Sequence, residues 1–307
     1  MRKKRKHLLI VGGTGFIGYH LAAHVINNGW DVSSISISPP KKHMRVKKVK
    51  YILLDITKFK DIKKKIKYSF THVVNLCGYN SYLNSKKENH KIFLVNFVGL
   101  FNLANFFLNK NIIKFVQIGS SAEYGNIMTP HDENKDCLPN SIYGLSKLKS
   151  TNYLIEMFNL KKFPVTILRL FQVYGPKQNK KNFIPYTIDG CLKDIKFPVS
   201  KGQQIRDFSY IDDTIKAIFL TLNNKKVNGE ILNVASGKTK TLKHVVGLIR
   251  KIVKKGKPQF GKIKYRQNES MKVFGNNYKI KKKLKWRSDT MFSIGINKTI
   301  NYYRNND

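Results

Sequence analysis

The sequence predicts an α/β fold, a doubly wound parallel sheet with a smaller C-terminal lobe, on three observations. Short apolar strands alternate with helical stretches through the first half. A glycine turn joins the first strand to the first helix. Beyond about Leu170 the alternation gives way to a mixed pattern broken by Pro176, Pro185 and Pro198. At 307 residues, 41% apolar and 12% aromatic, the chain can fill a large core. The expected partition is residues 1–170 for the sheet and 171–307 mainly for the second lobe, with some later segments free to return to the sheet.

In order, the first strand is expected at Leu8–Val11 and the first helix at Phe16–Asn27, stopped by Asn27-Asn28-Gly29. Further strands are expected at Val32–Ile37, Lys50–Leu54, His72–Leu76, Phe115–Ile118 and Val165–Leu170. Each is short and rich in β-branched or aliphatic residues. Helices are expected at about Ile62–Lys67, His90–Asn109, Ile142–Asn159 and Asp213–Asn223. Asp212 and Asp213 are expected to cap the last of these.

The chain carries 58 Lys and Arg against 18 Asp and Glu, a net charge of +40. The lysines recur in every segment and form no single block, which reads as a solvated basic surface rather than a specific nucleic-acid site. The basic head Met1–Lys6 precedes only four apolar residues, too few for a signal peptide. Ile92–Asn109 is uncharged over 18 residues, but Asn96, Asn102, Asn105 and Asn109 interrupt it, so a buried helix is expected rather than a membrane span. Cys77, Cys137 and Cys191 are too few and too scattered for a disulfide framework, consistent with a cytoplasmic location. His20 and His24 share a helix face but no third metal ligand is evident, so no metal is expected.

Leu8 to Gly18 reads strand, glycine turn, helix start, with Gly12, Gly15 and Gly18 spaced G-x-x-G-x-x-G. Such a turn lets backbone approach a pyrophosphate at a helix N-terminus. Gly18 is expected to let the helix lie close to the sheet. Where an NAD site usually places an acid at the end of its second strand, this chain has Ser36 or Ser38, followed by Lys41, Lys42 and Arg45. The missing carboxylate favours NADP(H) over NAD(H).

Tyr143 and Lys147 lie four apart in a helical stretch and so share a face. An ammonium beside a phenol favours the phenolate, which can exchange a proton with a sugar hydroxyl or ketone. Ser120, at the C-terminal end of a strand, can hold the reacting oxygen beside Tyr143.

These features, in this order, resemble an extended short-chain dehydrogenase/reductase, the Rossmann-type family of nucleotide-sugar epimerases, dehydratases and reductases. The likeness continues through Asp55-Ile56, Asn75-Leu76-Cys77-Gly78, Asn96, Arg169 to Pro176, Arg206 to Asp213 and Gly229 to Gly237. It implies a catalytic set of Ser120, Tyr143 and Lys147. It implies cofactor contacts from Gly12, Gly15, Phe16, Ile17, Gly18, Ser36, Asp55, Ile56, Leu76, Cys77, Gly78 and Asn96, with Lys147 on the nicotinamide ribose. Substrate contacts would come from Ser121, Gln172 and Arg206, the last clamping a diphosphate. Gln172 departs from the family's usual Asn. Cys77 reads as a small packed residue beside the cofactor. Dehydrating relatives carry Asp-Glu directly after the catalytic hydroxyl residue; here Ser121 and Ala122 follow and Glu123 comes one place late, which disfavours a 4,6-dehydratase. Reduction of a nucleotide-linked 4-keto sugar is favoured, with C4 epimerisation as the alternative. In the family, the helix carrying Phe93, Phe97, Phe101, Phe106 and Phe107 often pairs with the Tyr143 helix across a homodimer.

Overall fold

A computed structural model describes residues 6–81, 83 and 85–306. Most of the basic head, Met1–Arg5, lies outside the described residues. Seven parallel strands form the central sheet: β1 (His7–Val11), β2 (Asp31–Ser36), β3 (Val49–Leu53), β4 (His72–Asn75), β5 (Lys114–Ser120), β6 (Val165–Leu170) and β10 (Ile231–Val234). Their order is β10-β6-β5-β4-β1-β2-β3. The order reverses beside β1, where Val11 is registered against Ile35 on one side and Asn75 on the other. A crevice opens at the carboxyl ends of strands at such a reversal.

Alternation along β1 serves both faces. Leu8 and Ile10 join a core with Leu21 and Val25 of α1 (Phe16–Asn27). Leu9 and Val11 join another with residues of α4 (Gly99–Leu108) and α5 (Ile142–Lys161). The central strands β1, β4, β5 and β6 are buried on both faces and mostly apolar; with β2 and the partly exposed edge strand β3, six of the seven were visible in the sequence. The seventh, β10, is four residues long, carries Asn233 and comes from beyond residue 170. Its membership follows from pairing with β6, not from any pattern of its own.

The short helix α2 (Phe59–Lys65) follows β3. The apolar helical stretch before β5 starts earlier than expected, as α3 (Lys86–Phe93), because its first turn is exposed and lysine-rich while Ser85 caps it from Glu88 N (3.2 Å). It passes through a π turn at Leu94–Val98 into α4. Lys86–Leu108 is long and apolar enough to cross a membrane by length and composition alone. Here Leu100, Leu103, Ala104 and Phe107 of α4 are buried against the sheet core.

In the remainder, β7 (Gln172–Tyr174), β9 (Ile205–Tyr210), β11 (Thr239–Thr241) and β13 (Lys272–Val273) make a small second sheet. β8 (Lys196–Val199) pairs in parallel with β12 (Lys257–Phe260). Around them lie α6 (Phe183–Leu192), α7 (Ile211–Leu222), α8 (Leu242–Val253), α9 (Tyr278–Leu284) and α10 (Phe292–Asn306). The expected capping by Asp212 and Asp213 is not what the structure contains: Tyr210 is the N-cap of α7, and both carboxylates lie within its first turn. That turn favours negative charge. Asp213 also accepts from Ser288 Oγ, Thr290 N and Thr290 Oγ1, fastening the 288–290 segment.

Candidate functional site

The glycine turn is built for close approach. Gly12 has φ +82°, donates its N–H to Ile35 O (2.7 Å), and could carry a Cβ only 3.0 Å from Cys77 N. Both facts require glycine. Gly15 is the N-cap of α1 and, having no side chain, leaves the first-turn N–H groups uncapped; no acid stands in that turn. The positive end of the helix is therefore available to an anion. A Cβ at Gly18 would come within 2.5 Å of Gly13 Cα, so glycine there lets the start of α1 close onto the turn at the end of β1, while Leu21 and Val25 carry the helix onto the sheet. Phe16 and Ile17 open the helix and pack against the core on its α1 face. Uncapped amides, an open positive helix end and a backbone cradle fit the pyrophosphate of a dinucleotide.

Neighbouring loops complete the crevice. Ser36 Oγ, at the end of β2, lies 3.4 Å from Thr14 N and donates to Ile35 O, so it braces the turn. Asp55 Oδ1 accepts from both Thr57 N and Thr57 Oγ1. Ile56 is buried where a Cβ on Gly99 would collide with it. After β4, Leu76 N donates to Val11 O, and Cys77 N donates to Asn75 Oδ1. Burial pushes the Cys77 thiol up, which suits a packed residue rather than a nucleophile. Gly78 is exposed, and a Cβ there would lie 3.3 Å from both Asn96 Oδ1 and Lys147 Nζ.

Asn96 sits in the π turn, a backbone irregularity often found at functional sites. Its amide accepts from Tyr79 N and donates to Tyr79 O and Ser146 Oγ, while its carbonyl accepts from Ser150 Oγ. It thus ties the Gly78 loop to α5, the helix of Tyr143 and Lys147. Lys147 is buried and donates from Nζ to Ile118 O (3.1 Å), two residues before Ser120; Nζ lies 6.0 Å from the centre of the Tyr143 ring.

Ser120 ends β5 and opens a single turn closed by a capping box: Ala122 N donates to Ser120 Oγ, and Ser120 N donates to Glu123 Oε1 (2.8 Å). Glu123 is fully buried and also accepts from Thr151 Oγ1 (2.7 Å) and Arg169 Nε (2.8 Å). Burial opposes charge on Arg169, yet Glu123 holds its pKa above the ordinary value. Ser121 is buried beside this pair. Sequence reading missed Gly144. A Cβ there would lie 2.3 Å from Ala122 O, so glycine is what brings the start of α5 against the Ser120 turn. Its place beside Tyr143 was the available signal.

Arg206 and Gln172 belong to a different hollow, a cavity of about 510 Å³ that is also lined by Lys181, Tyr265, Arg266 and Glu269. Neither Ser120, Ser121 nor Tyr143 lines it. Arg206 donates from Nη1 to Ile205 O and Met271 O and from Nη2 to Glu269 Oε1. Burial lowers the Arg206 pKa below its ordinary value against the pull of Glu269. A cavity lined by two guanidiniums suits a phosphate-bearing ligand. Arg266 and Glu269 were missed because they are some 60 residues from Arg206 and carry no local motif. Among the described residues no three His, Cys, Asp or Glu side chains gather as metal ligands; His20 Nε2 sits 2.9 Å from Pro176 O instead.

Residues 8–235 match the model of the NAD dependent epimerase/dehydratase family. A Methanocaldococcus jannaschii protein provisionally named UDP-glucose 4-epimerase is 30% identical over 98% of this chain and 99% of its own. The dTDP-glucose 4,6-dehydratase of Shigella flexneri is 24% identical over 96% and 92% of the two chains. Among solved structures, UDP-glucose 4-epimerase of Thermotoga maritima with UDP-glucose superposes with a TM-score of 0.90 at 23% identity, covering 98% and 99%. UDP-glucuronic acid 4-epimerase of Bacillus cereus, in complex with UDP-glucuronic acid and NAD, gives 0.88 at 23%, covering 98% and 100%. A nicotinamide enzyme acting on nucleotide sugars is what the glycine cradle, the Tyr143–Lys147 helix and these likenesses jointly describe, and the chain belongs to the NAD dependent epimerase/dehydratase family.

Proposed function

We propose that the protein reduces a nucleotide-linked 4-keto sugar at C4, using NADPH in preference to NADH. The observation that carries this reading is the fate of Glu123. It is the one carboxylate in the turn after Ser120, and Arg169, Thr151 and Ser120 N occupy it. The turn then offers hydroxyls and no acid pair for the elimination a dehydratase performs.

In this reading Gly12, Gly15 and the first turn of α1 hold the cofactor's pyrophosphate, Asp55 and Ile56 lie by its adenine half, and Leu76, Cys77, Gly78 and Lys147 line its nicotinamide half. The bound nicotinamide would supply hydride to the sugar carbon. Tyr143 delivers its phenolic proton to the C4 oxygen, Ser120 Oγ donates a hydrogen bond to that oxygen, and Lys147 carries the positive charge that stabilises the phenolate left behind. Ser121, Gln172 and Arg206 serve the substrate, with Arg206 on the diphosphate. Residues 1–170 would thus supply the cofactor side and 171–307 mainly the substrate side. Ser36 in place of an acid, with exposed Lys41, Lys42 and Arg45 after it, supports a 2′-phosphate. A homodimer is supported by Phe97, Phe101 and Tyr153, which cluster on neighbouring helices with Phe101 exposed. Three free cysteines support a cytoplasmic setting.

A second reading, C4 epimerisation, is favoured by the full-length likeness to the M. jannaschii protein. Incubation with a panel of nucleotide sugars and their 4-keto derivatives, with either dinucleotide, separates the two. The reductase consumes one NADPH per product, whereas the epimerase interconverts sugars with no net change in nicotinamide absorbance. Tyr143→Phe should abolish turnover and retain dinucleotide binding; normal turnover in that variant defeats both readings.

A further inference from the structure

The phosphate cavity and the proton-handling phenol lie on different elements, Arg206 on β9 and Tyr143 on α5. A sugar tethered by its diphosphate reaches Tyr143 in the right register only if the interval between them is fixed. A misplacement of 1 Å can cost about a hundredfold in rate.

One four-residue span connects the two. From it, Glu269 Oε1 and Met271 O both accept from the Arg206 guanidinium, and Met271 O also accepts from Ile205 N (2.7 Å). The alternate residues face the other way. Asn268 O and Ser270 Oγ accept from Asn140 Nδ2 at 3.0 and 3.2 Å. Asn126 closes the knot, its Oδ1 accepting from Asn140 Nδ2 (2.9 Å) and from Ser270 Oγ (2.7 Å). Asn140 directly precedes Ser141, whose hydroxyl caps α5 by accepting from Gly144 N (3.1 Å). Tyr143 is therefore three residues from the knot. The same span continues into backbone pairing with the loop before α5, where His131 N donates to Phe274 O and Asn276 N donates to His131 O.

We propose that Asn140 and Ser270 are positioning residues that transmit nucleotide occupancy at Arg206 to the first turn of the Tyr143 helix. The proposal rests on reading the Arg206 cavity as the nucleotide-diphosphate site. Asn140 and Ser270 touch neither substrate nor cofactor in this account; they set the distance between the clamp and the phenol. Asn126 and Asn140 are exposed, so the knot adds little to the core, and its loss should leave the fold intact.

The test uses the full chain, its Asn140→Ala/Ser270→Ala double variant and Ser270→Thr, with UDP, dTDP, CDP and GDP as probes. Binding is measured calorimetrically, and hydrogen exchange is followed at the amides of residues 143–147 with and without the tightest diphosphate. In the parent chain, the diphosphate should slow exchange there at least threefold. In the double variant, diphosphate and dinucleotide affinity should stay within about twofold while that protection disappears; Ser270→Thr, which keeps the hydroxyl and Asn140, should retain it. Turnover of the double variant should fall 10- to 100-fold in kcat with KM little changed. Failure of all four diphosphates to bind would sink the nucleotide-site reading and this proposal with it. Binding without protection of residues 143–147 in the parent chain, or protection that survives in the double variant, would overturn the coupling alone.

Discussion

Replacing Glu123 by alanine removes the acid that pairs with the Arg169 guanidinium in a buried region. The side chains are 0% and 2% exposed and 2.8 Å apart. Taking away one partner of such a pair leaves a buried charge uncompensated, at a cost of about 3–5 kcal/mol. The Ser120 N–H also loses its acceptor, as does Thr151 Oγ1. For a chain of this size that loss corresponds to a midpoint roughly 5–8 °C lower. Glu123→Gln should retain much of the penalty, since the amide keeps an acceptor for Ser120 N but supplies no charge. Glu123→Gln combined with Arg169→Met should recover a large part of it, because neither replacement carries a charge and no stranded ion remains. The assay is thermal unfolding of the four chains at neutral pH, with dinucleotide binding measured beside it. An unchanged midpoint in Glu123→Ala, together with lost turnover and a shifted acid limb of the rate profile, would show Glu123 to be a proton donor to substrate and would reverse the case against dehydration.

Gly144→Ala places a methyl 2.3 Å from Ala122 O, so the start of α5 must move from the Ser120 turn; a loss of about 1–3 kcal/mol in stability and of at least tenfold in kcat is expected, checked by denaturation and by turnover with saturating dinucleotide. Gly12→Ala meets a positive φ and the Cys77 backbone together, and should weaken dinucleotide binding at least tenfold in a fluorescence titration. His72 and His131 are both buried and held by desolvation at a pKa of about 4, against 6.5 when unfolded. The unfolded chain therefore binds more protons between those values, so stability is full above about pH 6.5 and declines as pH falls toward 4, by up to about 3 kcal/mol for each imidazole. Urea midpoints measured from pH 7.5 to 4.5 should show this slope, and His131→Phe should reduce it; an equal slope in the variant would assign the effect elsewhere.

Much of the sheet could be read from the sequence because burial on both faces leaves a plain mark. The strand expected at Val165–Leu170 and the helix expected at Phe16–Asn27 coincide with the observed elements, and Asn28 and Gly29 do end that helix, with Gly29 at φ +78°. Departures occur where local pattern and tertiary role separate. The long apolar helix is expected from His90, yet the chain turns helical at Lys86 because a serine cap and exposed lysines suffice when the following turns are buried. Asp213 resembles a cap in sequence and is instead spent on residues 75 and more positions away.

The candidate site divides along the same line. Its cofactor side is legible because each requirement is local: glycines that must approach backbone, a helix end that must stay uncapped, and two side chains four apart on one face. Glu123 shows the limit of that logic. In sequence it is an acid near the candidate catalytic serine, Ser120, and only Thr151 and Arg169, 28 and 46 residues away, reveal that its oxygens are already occupied. The substrate side has no local requirement at all. Arg206 is recognisable by its motif, but the groups that orient it, Glu269 and Met271 O, arrive from more than 60 residues away and need only a carboxylate and a carbonyl at the right place. Many sequences satisfy such a demand, so no pattern marks it. In the proposed reading walls of this kind would set the sugar's identity, which is why chemistry at C4 can be argued from a handful of residues while the nucleotide is found by offering the protein several.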